Sequence, residues 1–164
     1  MNTEGLWSSW IAENGEAFFL YARQKTRSES DAKDVLQDAL TEAWRRTSEG
    51  LPERSLVFAT IRRRAIDCGR SIDRRSKREI KFADDSPNWF VPDFSANDVR
   101  HQLASAIETL PETLSEVLFL KIWGDLTFPA ISKLINIPVA TATSRYRYAL
   151  ERLRECTTLT ELMP

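Results

Sequence analysis

Hydroxyl, arginine and tyrosine side chains follow closely on one another near the carboxyl end of the chain. They are Thr141, Thr143, Ser144, Arg145, Arg147 and Tyr148. Guanidinium groups bind guanine edges and phosphates, and hydroxyl groups hydrogen-bond to both, so this mixture is typical of a surface that contacts nucleic acid. An ordinary helical hairpin with a solvated basic face explains the segment equally well when it is taken alone.

The residues around this segment predict two short helices joined by a tight turn. Thr127 is a good N-cap, and Pro129 fits the first helical turn, where its missing N–H is not needed. Asn136 stands where the chain must turn sharply, because asparagine tolerates the left-handed conformation better than most residues. Pro138 begins the second helix, which carries the arginine and hydroxyl side chains near its start. The pattern predicts a helix-turn-helix.

A second basic region lies in the middle of the chain, where residues 51–82 hold ten basic residues against four acidic ones. A long helix is predicted from about Ser55 to Lys81, with a buried seam that includes Phe58 and Ile61. A helix with so many arginines usually lies along phosphates. The candidate DNA contacts in this helix are Arg62, Arg63, Arg70, Arg74, Arg75 and Arg78.

The clearest amphipathic helix follows a cap at Ser28 or Ser30. Its predicted buried stripe runs from Ala32 to Trp44. The opposite face is polar and carries Asp34, Gln37, Asp38 and Thr41. These four side chains form either a solvated face or a surface on which a partner protein docks.

Two glycines are predicted to interrupt or end helices. Trp7 and Trp10 belong, with Leu6 and Ile11, to an apolar face of the first helix, which Gly15 is expected to break or bend. In the second half of the chain, Gly124 is expected to end the helix before the helix-turn-helix.

Composition restricts the function classes. The net charge of the 164 residues is −1, and no apolar run approaches the roughly 18 residues of a membrane span, so we expect a cytoplasmic protein without membrane insertion. Cys68 and Cys156 have no second ligand at metal-binding spacing, so no metal is expected. With no glycine-rich phosphate loop and His101 as the only histidine, we expect neither a cofactor nor an enzyme.

The domain organisation follows from these segments. We predict an all-α protein of two small helical domains joined by a flexible linker, the second domain containing the helix-turn-helix. Residues 1–82 form the first domain, residues 83–98 the linker and residues 99–164 the second. The linker holds four acidic residues and no basic one.

Four segments, in this order, resemble the extracytoplasmic-function sigma factors of bacterial RNA polymerase. Asp31 to Trp44 resembles the polymerase-binding helix of that family. Ile61 to Asp67, followed by arginines, resembles the helix that opens the minus-ten promoter element. Thr109 to Pro111 opens the second domain, and Ile137 to Arg145 resembles the recognition helix.

The resemblance implies specific roles and partners. The first domain corresponds to sigma region 2, which binds core RNA polymerase and the minus-ten element, and the second to region 4, which reads the minus-thirty-five element of promoter DNA. Arg63 and Asp67 are implied to hold unpaired bases. An anti-sigma factor, or another signal, is implied as a restraint. Arg63 replaces the usual asparagine, Ala140 a glycine and Thr143 a lysine, so the promoter sequence is not predicted.

The sequence also allows other functions for these segments. A stand-alone helix-turn-helix regulator would leave the polar helix face and the arginine helix unexplained. A degenerate relative that binds polymerase without initiating transcription fits the same residues. The linker acids either imitate nucleic acid in the polymerase or belong to a plain tether.

Overall fold

The computed structural model is helical in both halves of the chain. It describes the backbone of residues 3–76, 106–107 and 109–161 and the side chains of residues 4–70, 106–107 and 109–155. Every regular element in this part of the chain is an α-helix, which confirms the predicted fold class. The chain divides into two compact units, Met1–Phe90 and Val91–Pro164. The predicted linker, with its four acids, lies outside the described residues.

The first unit contains three helices, α1 (Thr3–Lys25), α2 (Glu29–Arg46) and α3 (Arg54–Ser76), and each packs against the other two. Three aromatic rings form the centre of this unit. Phe58 of α3 makes edge-to-face contacts with Phe18 and Tyr21 of α1, at ring-centroid distances of 4.9 and 5.4 Å. Such contacts add to the large apolar area that each ring buries.

Helix α1 runs through Gly15 without a break, so the expected break was wrong. Trp10 and Phe18, on either side of the glycine, are both buried and pack against each other at 5.4 Å. Tertiary packing therefore outweighs the weak helix propensity of one glycine. Leu6 and Ile11 were expected on the apolar face but are exposed, because the core covers only the side of α1 that carries the tryptophans.

Helix α2 begins and ends with side-chain caps. The Asp31 N–H donates to Ser28 Oγ at 3.1 Å, so Ser28 is the N-cap. At the other end Thr47 Oγ1 donates to the Ala43 carbonyl at 2.7 Å. Trp44 was predicted to be buried but is 47% exposed. It lies at the edge of the stripe, where its ring packs against Trp7 at a centroid distance of 4.3 Å.

In the described part of the second unit, residues 106 and 107 are helical, and the helices α4 (Glu112–Ile122), α5 (Phe128–Ile135) and α6 (Val139–Glu161) follow. Residues 115–120 of α4 are all buried, because α5 and α6 both pack against this helix. Helix α6 has 23 residues and is longer than the short helix predicted from the sequence.

Gly124 follows the last turn of α4, as predicted, but glycine is required there for a different reason. A Cβ atom at this position would lie 2.5 Å from the carbonyl oxygen of Leu120, so only glycine fits. The left-handed residue is instead Asp125, with a φ of 52°. The Leu126 N–H then donates to the same Leu120 oxygen at 3.1 Å, which closes the turn between α4 and α5.

Candidate nucleic-acid and polymerase interfaces

The turn between α5 and α6 has the local geometry predicted for a helix-turn-helix. The Ala130 N–H donates to Thr127 Oγ1 at 3.2 Å and caps the start of α5. Asn136 ends the helix in the left-handed conformation, with φ and ψ of 57° and 56°. Ser132 holds the residue after the turn twice, because its carbonyl accepts from the Ile137 N–H at 3.1 Å and its hydroxyl donates to the Ile137 carbonyl.

Helix α6 has one buried stripe and one exposed face. Ala142, Ala149 and Leu153 are buried, and their spacings of seven and four place them on one side. Among the predicted contact residues Ser144, Arg147 and Tyr148 are exposed, and Thr141, Thr143 and Arg145 are half-buried.

The predicted contact residues of α6 do not all share one face. At about 100° per residue, Thr143 and Arg145 lie on opposite flanks of the helix, about 160° apart. Arg145 lies about 60° from the buried Ala142. Thr143 Oγ1 donates to the Val139 carbonyl at 2.9 Å, so its proton is already engaged by the helix backbone.

An aromatic contact between α5 and α6, which the sequence did not predict, supports α6. The ring of Phe128, at the start of α5, meets that of Tyr146 edge to face at a centroid distance of 5.5 Å. Lys121 of α4 places its ammonium group 4.7 Å from the Phe128 ring centroid. Such a cation–π contact is favourable when the cation is partly desolvated, as the half-buried Lys121 is. These two contacts therefore link α4, α5 and α6 to one another.

The polar face of α2 is accessible in the first unit. The side chains of Asp34, Gln37, Asp38 and Thr41 are all exposed, on successive turns of one helix side. Trp44 continues this surface by one turn, since it lies only about 20° from Gln37 around the helix. The surface therefore combines acidic, amide and aromatic groups, a composition that suits a protein interface.

Four of the predicted contact residues of α3 have described side chains, and three of them face solvent. Arg63, Asp67 and Arg70 are exposed, and Arg62 is half-buried. Residues 74 and 75 lie in the last turns of α3, where the structure describes the backbone. Arg78 lies outside the described residues.

One carboxylate gathers three arginines where α2 meets α3. Glu42 Oε1 accepts from Arg63 Nη2 at 2.6 Å and lies 2.9 Å from Arg46 Nη2. Its other oxygen accepts from Arg64 Nη2 at 3.1 Å. We name these four residues the Glu42 cluster. Its arginines come from both helices, so it joins α2 to α3.

The cluster keeps Glu42 ionised. The hydrogen bond from Arg63 lowers the pKa of Glu42 most, and the bond from Arg64 and the charges of Arg63 and Arg46 lower it further, while burial opposes the change. A carboxylate that accepts bonds from guanidinium groups is stabilised in its charged form.

In the part of the chain that the structure describes, no group of three or more histidine, cysteine or acidic side chains is arranged to hold a metal ion. Among the described helices, none is both long enough and apolar enough to cross a membrane.

Comparison with known proteins gives a consistent family. The model for sigma-70 region 4 matches residues 100–153, which include α4, α5 and most of α6. The sigma factor SigK of Mycobacterium tuberculosis, of the extracytoplasmic-function (ECF) class, is 27% identical over 76% of this chain and 71% of its own. The ECF sigma factor RpoE of Cereibacter sphaeroides is 28% identical over 77% of this chain and 72% of its own. These matches extend well beyond the helix-turn-helix.

Solved structures agree with this fold over nearly the whole chain. The sigma factor RpoE of Bartonella quintana, solved with the anti-sigma factor NepR, has a TM-score of 0.69 at 17% identity and covers 93% of this chain and 96% of its own. The chain is similar in sequence to extracytoplasmic-function sigma factors, and it shares the fold of a solved sigma factor. CnrH, solved with the cytosolic domain of CnrY, has a TM-score of 0.54 at 19% identity, and the match covers 96% of this chain and 88% of CnrH.

The chain contains contacts that its motifs did not predict. The Glu42 cluster is one, because Arg46 and Arg64 were not among the candidate contact residues and Arg63 was not expected to meet an acid. The contact of Phe128 with Tyr146 is the other. A sequence signal existed only for the i, i+4 pair of Glu42 and Arg46, since the other contacts join separate helices.

Proposed function

We propose that this chain binds core RNA polymerase and directs promoter recognition, DNA opening and transcription initiation. Residues 1–82 act as sigma region 2, residues 83–98 as the linker and residues 99–164 as region 4. The observation that carries the proposal is the exposed polar face of α2 in the same chain as a helix-turn-helix unit. A stand-alone regulator has no use for that face.

The α2 face is the proposed polymerase-binding surface. It consists of Asp34, Gln37, Asp38 and Thr41. Two carboxylates on one face favour a basic partner surface, and the exposed Trp44 beside them provides the kind of aromatic anchor that commonly dominates binding energy. Since the four polar side chains are exposed, they are accessible to a partner without a change in the core of the unit.

The α3 side chains are proposed to contact the minus-ten element. Arg62, Arg70, Arg74, Arg75 and Arg78 neutralise phosphates, and each such contact makes DNA binding more salt-dependent. Arg63 and Asp67 hold unpaired bases of the opened strand. An alanine triple variant at positions 70, 74 and 75 should therefore lower both the salt slope and the yield of open complex.

The start of α6 is proposed to enter the major groove at the minus-thirty-five element. Thr141, Thr143, Ser144 and Arg145 lie in its first two turns, from which side chains reach base edges. Arg147 and Tyr148 contact phosphates. Arg145 extends from the flank of the helix, and its guanidinium fork can bind one guanine bidentately, which discriminates by about 1–3 kcal/mol.

This assignment makes a specific prediction about two neighbouring arginines. Arg145→Ala should relax sequence preference at one or two positions of the minus-thirty-five element, because it removes a base contact. Arg147→Ala should weaken binding about equally on all sequences, because phosphate contacts carry no sequence information. Selection from a promoter library with each holoenzyme measures both. An Arg145→Ala variant that keeps the original preference would contradict the assignment.

Further partners and properties follow from the same proposal. The structure of the sigma factor RpoE with the anti-sigma factor NepR motivates an anti-sigma factor as a partner of this chain. As a subunit of RNA polymerase the protein acts in the cytoplasm. It catalyses no reaction itself, because the polymerase supplies the chemistry.

The decisive experiment is run-off transcription with purified core polymerase. Promoter-specific transcripts should appear only when this chain is added. A stand-alone regulator would bind DNA without core and give no such transcripts. A degenerate sigma factor would bind core polymerase but also give no promoter-specific transcripts. Either result would contradict the proposal.

A further inference from the structure

The Glu42 cluster has a geometry that leaves much of each arginine available. The side chain of Glu42 is only 15% exposed, whereas those of Arg46, Arg63 and Arg64 are 56, 52 and 43% exposed. A guanidinium group has five N–H donors. In each contact with Glu42 the arginine uses Nη2. The carboxylate therefore lies beneath three partly solvated guanidinium groups.

The charge of the cluster favours an anion. Three arginines and one carboxylate leave a net charge of +2 on a patch where the end of α2 meets the middle of α3. Arg46 lies at the carboxyl end of α2, and Arg63 and Arg64 lie about midway along α3. A phosphate can approach from solvent without displacing Glu42, since the carboxylate is on the protein side of the arginines. Charge-assisted bonds from arginine to phosphate are among the strongest hydrogen bonds in proteins.

The surroundings of the cluster favour DNA over the polymerase as the source of this phosphate. Glu42 lies about 140° around α2 from Gln37 but only about 40° from Asp38, so the cluster borders the proposed polymerase-binding surface. Two of its arginines belong to α3, the helix proposed to contact the minus-ten element. A polymerase surface that accepts Asp34 and Asp38 must itself be electropositive, and it would repel three arginines.

We propose that Arg46 and Arg64 bind a backbone phosphate of promoter DNA beside the unpaired bases that Arg63 holds, with Glu42 as the residue that positions all three arginines. The inference rests on the proposed function, and it adds Arg46, Arg64 and Glu42 to the DNA-binding residues of the first unit. Glu42 holds three flexible side chains together before DNA arrives, so less side-chain entropy is lost on binding.

The role of Glu42 has a test in which two explanations predict opposite signs. If the carboxylate merely offsets positive charge, Glu42→Gln raises the net charge by one and should strengthen DNA binding. If it positions the arginines, Glu42→Gln should weaken binding although the net charge rises. Glu49→Gln is the matched control, because it makes the same charge change at an exposed loop position outside the cluster.

The experiment measures the affinity of assembled holoenzyme for promoter DNA between 50 and 200 mM salt. Each lost phosphate contact lowers the salt slope by about one, which corresponds to roughly a threefold smaller loss of affinity across this range. Arg46→Ala and Arg64→Ala should each lower the salt slope by up to about one. Glu42→Gln should lower it as well, Glu42→Asp should restore part of it, and Glu49→Gln should not lower it.

Several results would overturn the inference. One is a Glu42→Gln holoenzyme whose salt slope equals or exceeds that of the original chain. Another is an unchanged slope for both Arg46→Ala and Arg64→Ala, which keeps the test valid if the Glu42 variant folds poorly. A loss of affinity for core polymerase with an unchanged slope would assign the cluster to the polymerase instead. These results leave the proposed function intact, whereas a holoenzyme of the original chain that binds no promoter overturns both.

Discussion

Gly124 provides a sharp test of the packing that supports the helix-turn-helix. In Gly124→Ala, the added Cβ would lie 2.5 Å from the carbonyl oxygen of Leu120 and 3.1 Å from its Cα. Both atoms belong to the backbone, so α4 must shift to relieve the contact. Forcing one extra carbon into a packed site costs about 1–3 kcal/mol, and we expect the upper half of that range because no flexible side chain can move aside.

Gly15→Ala is the matched comparison and should have the opposite sign. A Cβ at this position would meet only the Cγ2 atom of Ile11, at an ordinary contact distance of 3.6 Å. Alanine in a helix interior is favoured over glycine by roughly 0.5–1 kcal/mol. The two variants make the same chemical change, one in the turn after α4 and one within α1, so the difference between them reports local conformation and packing and not composition.

Hydrogen exchange followed by mass spectrometry measures both effects by segment. Gly124→Ala should increase exchange in α4, α5 and α6, and Gly15→Ala should slow it in α1. Promoter binding that depends on the minus-thirty-five element should fall with the first variant. Protection of α4 to α6 that is unchanged in Gly124→Ala would refute the reasoning about this close approach.

Three further predictions concern the α2 face, the Glu42 cluster and the turn. Asp34→Arg combined with Gln37→Ala should weaken binding to core polymerase in a pull-down, while it changes the free energy of unfolding by only about 0.5 kcal/mol. The control Glu13→Arg, on α1, should leave polymerase binding unchanged. Retention of the double variant equal to that of the original chain would contradict the assignment. Because the folded pKa of Glu42 is lowered, its ion pairs should contribute about 1 kcal/mol above the ordinary value of 4.5 and lose it as pH falls through the folded pKa. The stability difference from Glu42→Gln should therefore shrink on acidification, and a difference constant from pH 7 to pH 3 would disprove this. Asn136→Val should lower the free energy of unfolding by about 1–2 kcal/mol and Asn136→Gly by much less, since only the first strains a left-handed residue; equal losses in denaturant titrations would count against the turn geometry.

Local chemistry allowed much of the helix-turn-helix to be predicted from the sequence. Thr127 and Asn136 act through their own side chain or backbone within a few residues, so their roles as cap and left-handed residue could be read directly. Ser28 was recognised as one of two candidate caps of α2 for the same reason. The contacts of the α2 and α6 surfaces with partners remain predictions, because exposure alone does not identify what binds.

Features that depend on the packing of separate helices were missed or misread. Trp44 was assigned to the buried stripe of α2, but it lies about 100° around the helix from the buried Ala43, and it is 47% exposed. Its contact with Trp7 of α1 could not be read from the spacing within α2. The pairing of Glu42 with Arg63 joins residues 21 positions apart, a separation at which sequence spacing carries no signal. Gly124 was recognised as a helix end, but its close approach to Leu120 follows from the path of the chain into α5.

The most direct test of the central claim is selection of promoter sequences from a random library by the purified chain, with and without core polymerase. The account predicts that two separate elements, near minus thirty-five and minus ten, are enriched at a fixed spacing and only when core polymerase is present. Enrichment of a single element by the chain alone would contradict the account, because a stand-alone regulator binds in that way. Absence of enrichment in the presence of core polymerase would contradict it as well.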